Sequence, residues 1–110
     1  MASGRLASLD ISNAATDVQL YAVPTNKTAS FTISMTNRSA SPVKVRIALT
    51  DSTSIGLDEF IAYDQTIYGN ETLERSGLVL TQGQFVYIRS SAVAVGGVGG
   101  VNAVVYGYEE

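Results

Sequence analysis

The sequence predicts an all-β protein: an antiparallel β-sandwich of about seven to eight strands, of jelly-roll or immunoglobulin-like type. Residues 28–37, TASFTISMTN, alternate strictly between apolar and hydroxyl side chains, which is typical of a strand with one buried face. Other short strand-like segments follow it at regular spacing, separated by turn residues. No segment shows a helical period, and a closed barrel is the competing architecture.

The first fifteen residues are predicted to form an extended N-terminal arm, and residues 16–110 a single sandwich domain. Residues 1–15 are small and polar, and they show neither helical spacing nor sustained alternation. The arm carries Leu6, Leu9 and Ile11. Such a segment either frays in solution or lies along a neighbouring subunit.

Three strands are predicted in the first half of the domain. The first covers residues 17–23 and ends at Pro24, before a turn at residues 25–27. The alternating strand 28–37 follows, and after a polar loop the third strand covers residues 43–50. Because only a short loop separates the second and third strands, we expect them to pair as an antiparallel hairpin.

The second half is predicted to contain shorter and less regular strands. Residues 59–65 form a short strand or turn, and residues 66–68 and 72–80 flank a turn at Gly69 and Asn70. Gly77 marks a bulge or a close approach. The last strands cover residues 84–91 and 101–108, and the glycine cluster 96–100 between them is predicted to be a flexible loop.

The last two predicted strands are apolar on both faces, whereas a lone small sandwich needs only one buried face. The second apolar face therefore predicts a contact with another subunit, and tyrosine is a residue that interfaces favour. Two alternatives stay open: such exposure is ordinary in sheets, or the arm covers it. The candidate interface residues are Leu6, Leu9, Ile11, Phe85, Tyr87, Arg89, Val104, Tyr106 and Tyr108.

Composition disfavours several classes of function. The chain has no cysteine and no histidine, so it lacks disulfides, thiol nucleophiles, the commonest general base and the commonest zinc ligands. With a net charge of −3 it does not offer the basic surface of a nucleic-acid binder. No apolar run has the length of a signal peptide or a membrane helix, which predicts a protein made in a cytoplasm with no membrane partner. We predict no cofactor.

The remaining candidate sites do not match the residue pattern of any particular catalytic or binding site. Ten acids could in principle supply a glycosidase pair, but nothing in the sequence sets their separation, so no enzyme is predicted. Four acids, Asp51, Asp58, Glu59 and Asp64, could gather around calcium, yet their spacing matches no calcium loop. The glycine cluster lacks a phosphate-binding pattern. The only basic grouping, Arg38, Lys44 and Arg46, binds an acidic partner surface or a sugar acid, or is simply solvated. Three sequons, at Asn26, Asn37 and Asn70, are predicted to mark exposed turns.

Three segments carry a resemblance to a known family: QLYAVPTNKTASFTISMTNRSASPVKVRIAL, DEFIAYDQTIYGNETLERSGLVLTQGQFVYIRSS and VVYGYEE. Together they span nearly the whole chain, which resembles small β-sandwich structural proteins of tailed bacteriophage virions. The GGVGG insertion before the last strand departs from the family pattern.

The resemblance implies a virion component that acts by binding other proteins. The first expectation is a head decoration or cement protein that clamps neighbouring capsid subunits, with the major capsid protein or another virion protein as partner. Self-association, with a trimer favoured, would place copies at capsid threefold positions. A tail, neck or fibre adapter is the alternative. A carbohydrate-binding module is a further alternative, and the absence of tryptophan disfavours it.

Overall fold

The computed structural model describes residues 2–12, 14–91 and 100–110. Within these residues the only regular secondary structure is the β-strand. The strands are β1 (Ala2–Asp10), β2 (Val18–Ala22), β3 (Thr28–Asn37), β4 (Val43–Thr50), β5 (Phe60–Ile67), β6 (Thr72–Thr81), β7 (Phe85–Ser90) and β8 (Val101–Glu109).

The strands form two antiparallel sheets of four, which we name sheet A (β1-β8-β3-β6) and sheet B (β2-β7-β4-β5). Strand β1 pairs with β8, β2 with β7, β3 with β6 and β4 with β5. The chain is thus one long hairpin rolled into two layers, the arrangement of a jelly roll. The predicted all-β sandwich of about seven to eight strands is confirmed, and the strand order is that of the jelly roll rather than the immunoglobulin domain.

The core lies between the sheets and follows from the alternation of the strands. In β3 the apolar residues Ala29, Phe31, Ile33 and Met35 are buried, while the hydroxyl residues between them are half-buried on the outer face. Strand β4 buries Val43, Val45 and Ile47 from the opposite sheet. Burial of this apolar surface is the main favourable term in folding.

The N-terminal segment is not an arm, which corrects the prediction. Residues 2–10 form β1, the edge strand of sheet A, and pair with β8 along its length. A bulge between Arg5 and Ala7 shifts the register, which breaks the alternation by which a strand is recognised in sequence. Ile11 follows the strand and is buried in the core, and Leu6 and Leu9 pack against that core.

The predicted β3–β4 hairpin is also wrong, because these two strands lie in different sheets. The loop 38–42 crosses from sheet A to sheet B instead of turning back beside β3. Alternation fixes which residues face the core, but it carries no information on which strand is the neighbour. Within the described residues, only the β4–β5 connection joins two adjacent strands of one sheet.

Two irregularities in the second half have clear backbone causes. The pieces predicted at 59–65 and 66–68 are one strand, β5, interrupted at Asp64, whose φ of 50° accompanies a register shift against β4. Gly77 has a φ of 73° and lies in a bulge where β6 pairs with β3, as predicted. The predicted glycine loop lies outside the described residues, except for Gly100.

Asn37 differs from the expectation that its sequon marks an exposed turn. It continues the inward-facing positions of β3 and is fully buried, whereas Asn26 and Asn70 are exposed and adopt the left-handed conformation common for asparagine in turns. The Asn37 side chain donates to the carbonyl oxygens of Ser41 and Ile67 at 2.8 and 3.0 Å. It therefore joins the β3–β4 loop to the end of β5.

A buried polar pair joins the two sheets at one end of the sandwich. The Tyr21 hydroxyl of β2 donates to Glu109 Oε2 of β8, and the Tyr21 ring meets Phe31 edge to face at 5.7 Å. Burial raises the pKa of Tyr21 well above its usual value, and the hydrogen bond to Glu109 and the charge of that carboxylate raise it further. The folded protein therefore keeps the phenolic proton at a pH where the unfolded chain loses it.

This pair predicts a loss of stability in alkali that depends on Tyr21. An unfolded tyrosine titrates near pH 10, so the stabilisation is complete below about pH 10 and declines above it, at about 1.4 kcal/mol per pH unit. Urea unfolding between pH 8 and pH 11 measures the slope. Tyr21→Phe should flatten it relative to the unmodified chain, whereas Tyr87→Phe, on an outer face, should not. Equal slopes for the unmodified chain and Tyr21→Phe would contradict the assignment.

Candidate functional site

Pairing of β4 with β7 brings two separate sets of sequence-predicted residues onto one surface, the outer face of sheet B. Arg46 lies directly opposite Arg89, and Ala48 lies opposite Tyr87. Lys44, exposed at the start of β4, bonds through its backbone to Ser91 at the end of β7. Members of the predicted basic group and of the predicted aromatic interface thus occupy neighbouring positions.

The two arginines are held in the same way from opposite sides. Arg46 gives Asp64, on the edge strand β5, two hydrogen bonds, Nε to Oδ1 at 2.8 Å and Nη2 to Oδ2 at 3.3 Å. Arg89 gives Asp17, just before the other edge strand β2, the matching bonds at 3.0 and 3.3 Å. The result is a row Asp17–Arg89–Arg46–Asp64 that runs across sheet B, from the residue before β2 through β7 and β4 to β5.

Aromatic rings flank this row. The guanidinium carbon of Arg46 lies 4.1 Å from the centre of the Tyr63 ring, and Phe60 supports that ring edge to face at 4.9 Å. On β7, Phe85 and Tyr87 meet edge to face at 6.4 Å. Tyr63 is 55% exposed, so a partner can reach it. We call Lys44, Arg46, Tyr63, Tyr87 and Arg89, with their two aspartates, the arginine–tyrosine face.

The electrostatics of the face favour an anionic partner. The hydrogen bond from Arg46 lowers the pKa of Asp64, and the charges of Arg46, Lys44 and Arg89 lower it further. Two like charges directly opposite each other on neighbouring strands are unfavourable unless anions compensate them. Each arginine gives only two hydrogen bonds to its aspartate, and a guanidinium has further N–H donors. These donors can receive an additional carboxylate.

Arg38, the third member of the predicted basic group, lies apart from this face. It follows β3 and donates from Nη2 to Asp10 Oδ1, at the end of β1, at 2.6 Å. The basic group of Arg38, Lys44 and Arg46 is therefore not one cluster, because the loop that carries Arg38 crosses between the sheets. Only Lys44 and Arg46 share a surface.

The nine candidate interface residues also fall into separate groups. Phe85, Tyr87 and Arg89 lie on the outer face of sheet B. The β8 residues Val104, Tyr106 and Tyr108 face outward from sheet A, on the opposite side of the sandwich. The three N-terminal residues are not exposed for contact with another subunit, contrary to the prediction. Ile11 is 1% exposed, and Leu6 and Leu9 pack on the core.

Two of the four loop acids considered for calcium are bound to other groups of the chain. Glu59 Oε1 accepts a hydrogen bond from the Gly56 backbone N–H at 2.6 Å, and Asp64 is paired with Arg46. Over residues 2–12, 14–91 and 100–110, no group of three or more acidic, histidine or cysteine side chains could hold a metal ion. In the same ranges, no helix has the length and apolar character needed to span a bilayer.

Sequence reasoning did not identify Asp17 or Tyr63 as residues of the arginine–tyrosine face, and it offered Asp64 only as one of the calcium acids. Alternation places Arg46 outward, but finding its partner requires the β4–β5 register, and the irregularity at Asp64 obscures that register. Asp17 is separated from Arg89 by most of the chain. An acid beside each edge strand and an arginine on each central strand were the available signals, and they become meaningful only once strand order is known.

Comparisons with known proteins do not assign this chain to a family. No family model, no curated protein and no solved structure matches it.

Proposed function

We propose that this protein is a non-enzymatic structural component of a bacteriophage virion. Its most favoured role is that of a capsid decoration protein that bridges and stabilises neighbouring capsid subunits through the arginine–tyrosine face. The observation that carries the proposal is the opposed pair Arg46 and Arg89, each fixed by two hydrogen bonds to an aspartate. The partner surface is acidic.

The composition of the face supports a protein partner. Arginine and tyrosine are enriched at interfaces and among the residues that contribute most to binding. The aspartates hold both guanidinium groups in place before a partner arrives, which reduces the conformational entropy lost on binding. Three cations and two anions leave this face with an excess of one positive charge, whereas the whole chain carries −3.

The fold and the resemblance support the virion assignment in a more general way. Jelly rolls occur among viral capsid proteins and also among lectins, so the fold alone is an analogy. The segments that resemble small phage structural proteins include both central strands of sheet B, β4 and β7. Many copies on a symmetric shell would hold firmly even when each contact is weak.

Charge reversal on the face tests the proposal. Arg89→Glu should reduce co-sedimentation with purified particles of the virus that encodes the chain by at least about tenfold, since it replaces attraction by repulsion and frees Asp17. Arg5→Glu is the matched control, because Arg5 is exposed on β1 at the other sheet. Equal binding by the Arg89→Glu variant, with an unchanged circular dichroism spectrum, would overturn the proposed contact.

Imaging of the particle separates the possible positions in the virion. A decoration protein lies on the capsid shell, whereas a tail, neck or fibre adapter lies at one vertex or below it. Native mass measurement tests the accompanying proposal of self-association, for which a trimer is expected.

A further inference from the structure

The outer face of sheet A, opposite the arginine–tyrosine face, contains an open depression of about 290 Å³. Ser30 and Thr32 of β3 form its floor, and Tyr106 and Tyr108 of β8 form one wall. Val79 of β6 lies opposite that wall across Ser30. The volume lies just below the range of about 300–1,000 Å³ that is usual for small-ligand clefts.

The β6 bulge opens the second wall of the depression. Gly77 lies in this bulge, has no side chain, and a Cβ placed there would have no atom within 4 Å. A bulge also interrupts the regular ladder of backbone hydrogen bonds with the partner strand. The depression thus combines hydroxyl groups with open access from the sheet edge.

The two tyrosines differ in how they are held. The Tyr106 hydroxyl donates to Glu74 Oε2 at 3.0 Å, which fixes the ring against the floor of the depression. Tyr108 is 43% exposed, and its hydroxyl has no hydrogen-bond partner among the described residues. The rings project from the same face of one strand, about 7 Å apart along it. They offer one fixed aromatic surface and one phenol ready to bind.

We propose that this depression is a binding site for a neutral saccharide unit. Among the described residues that line it, none is charged, so it offers no compensation for burying a charged ligand. Its hydroxyls match a ligand with many donors and acceptors, and its tyrosine rings and Val79 match the apolar C–H face of a sugar ring. The site is independent of the arginine–tyrosine face and would add glycan attachment to the structural role.

Saturation-transfer NMR and ¹⁵N chemical-shift mapping test the site. The probes are glucose, galactose, mannose and N-acetylglucosamine, with a β-linked tetramer of each. At least one probe should bind with a dissociation constant near about 1 mM, as expected for a small open site. The shifts should be confined to the β3, β6 and β8 residues of the depression. Absence of any transfer at about 10 mM probe, or shifts on sheet B instead, would overturn the proposal.

Variants on one strand provide the matched comparison. Tyr108→Ala and Thr32→Val should each weaken binding of that probe by about tenfold, because each removes a group from the depression. Ser34→Ala, two residues along the same outward face of β3 and outside the lining, should bind like the unmodified chain. If Ser34→Ala weakens binding as much as Thr32→Val, the depression is not the site. Tyr108→Ala should leave binding to the particle unchanged. A failure of the saccharide proposal can therefore be distinguished from a failure of the proposed particle contact.

Discussion

Replacing Gly107 with alanine is expected to lower the free energy of unfolding by about 3 kcal/mol or more. Gly107 lies in β8, between β1 and β3 in sheet A. A Cβ at this position would lie 2.1 Å from the Ser30 carbonyl oxygen and 2.7 Å from the Phe31 Cα, both backbone atoms. Its φ of 155° is also strained for a residue with a side chain. Two central strands would have to separate.

Gly83→Ala is the control for Gly107→Ala. Gly83 also has a positive φ, 81°, but a Cβ there would meet nothing within 4 Å, so only backbone strain remains. We expect a loss of about 1 kcal/mol for this variant. Urea unfolding followed by far-ultraviolet circular dichroism compares the two. Equal midpoints for both variants would contradict the close approach of β8 to β3.

Replacing Asn37 with alanine is expected to cost about 3 kcal/mol, because it removes the side-chain partner of the buried Ile67 carbonyl and of several part-buried backbone groups. The Asn37 amide donates to the carbonyl oxygens of Ser41, Ile67 and Tyr68 at 2.8 to 3.3 Å. Its Oδ1 accepts from the Ser39 backbone N–H at 2.9 Å and from the Ser39 hydroxyl at 2.7 Å. Loss of this side chain should loosen the β3–β4 loop and the β5–β6 turn together.

Two further variants test the role of Asn37. Asn102→Ala, on the outer face of β8, should change stability by less than about 0.5 kcal/mol. Asn37→Asp keeps the size but places a carboxylate against carbonyl oxygens, so it should be destabilised at pH 7 and should recover partly as the pH falls and the group takes up a proton. Unchanged thermal unfolding of Asn37→Ala would show that the bonds at Asn37 contribute little.

How much of the fold could be predicted depends on whether the information is local. The alternation in β3 and β4 gave both strands with the bounds that the structure has. β1 was missed because a bulge at Leu6 interrupts its alternation. The partner of each strand was not predictable, since the pairs β1–β8, β2–β7 and β3–β6 join distant parts of the chain.

The candidate site shows the same limit. Arg46 and Arg89 were both identified from sequence, one in the basic group and one among the interface residues. Their meeting depends on the β4–β7 register, which no local pattern contains. The prediction of Ile11 as an interface residue was wrong for a related reason. In a segment without alternation, the sequence does not show whether a hydrophobic residue enters the core of its own chain or contacts another subunit.

A cryo-electron microscopy map of the proposed virus particle would show which surface of the sandwich meets a neighbouring subunit. We expect the sandwich to lie on the particle with sheet B facing that subunit. Arg46, Arg89 and Tyr63 should lie within about 4 Å of that subunit, and a carboxylate of the neighbour should lie between the two guanidinium groups. A particle that lacks the protein, or one on which the arginine–tyrosine face points into solvent, would contradict it.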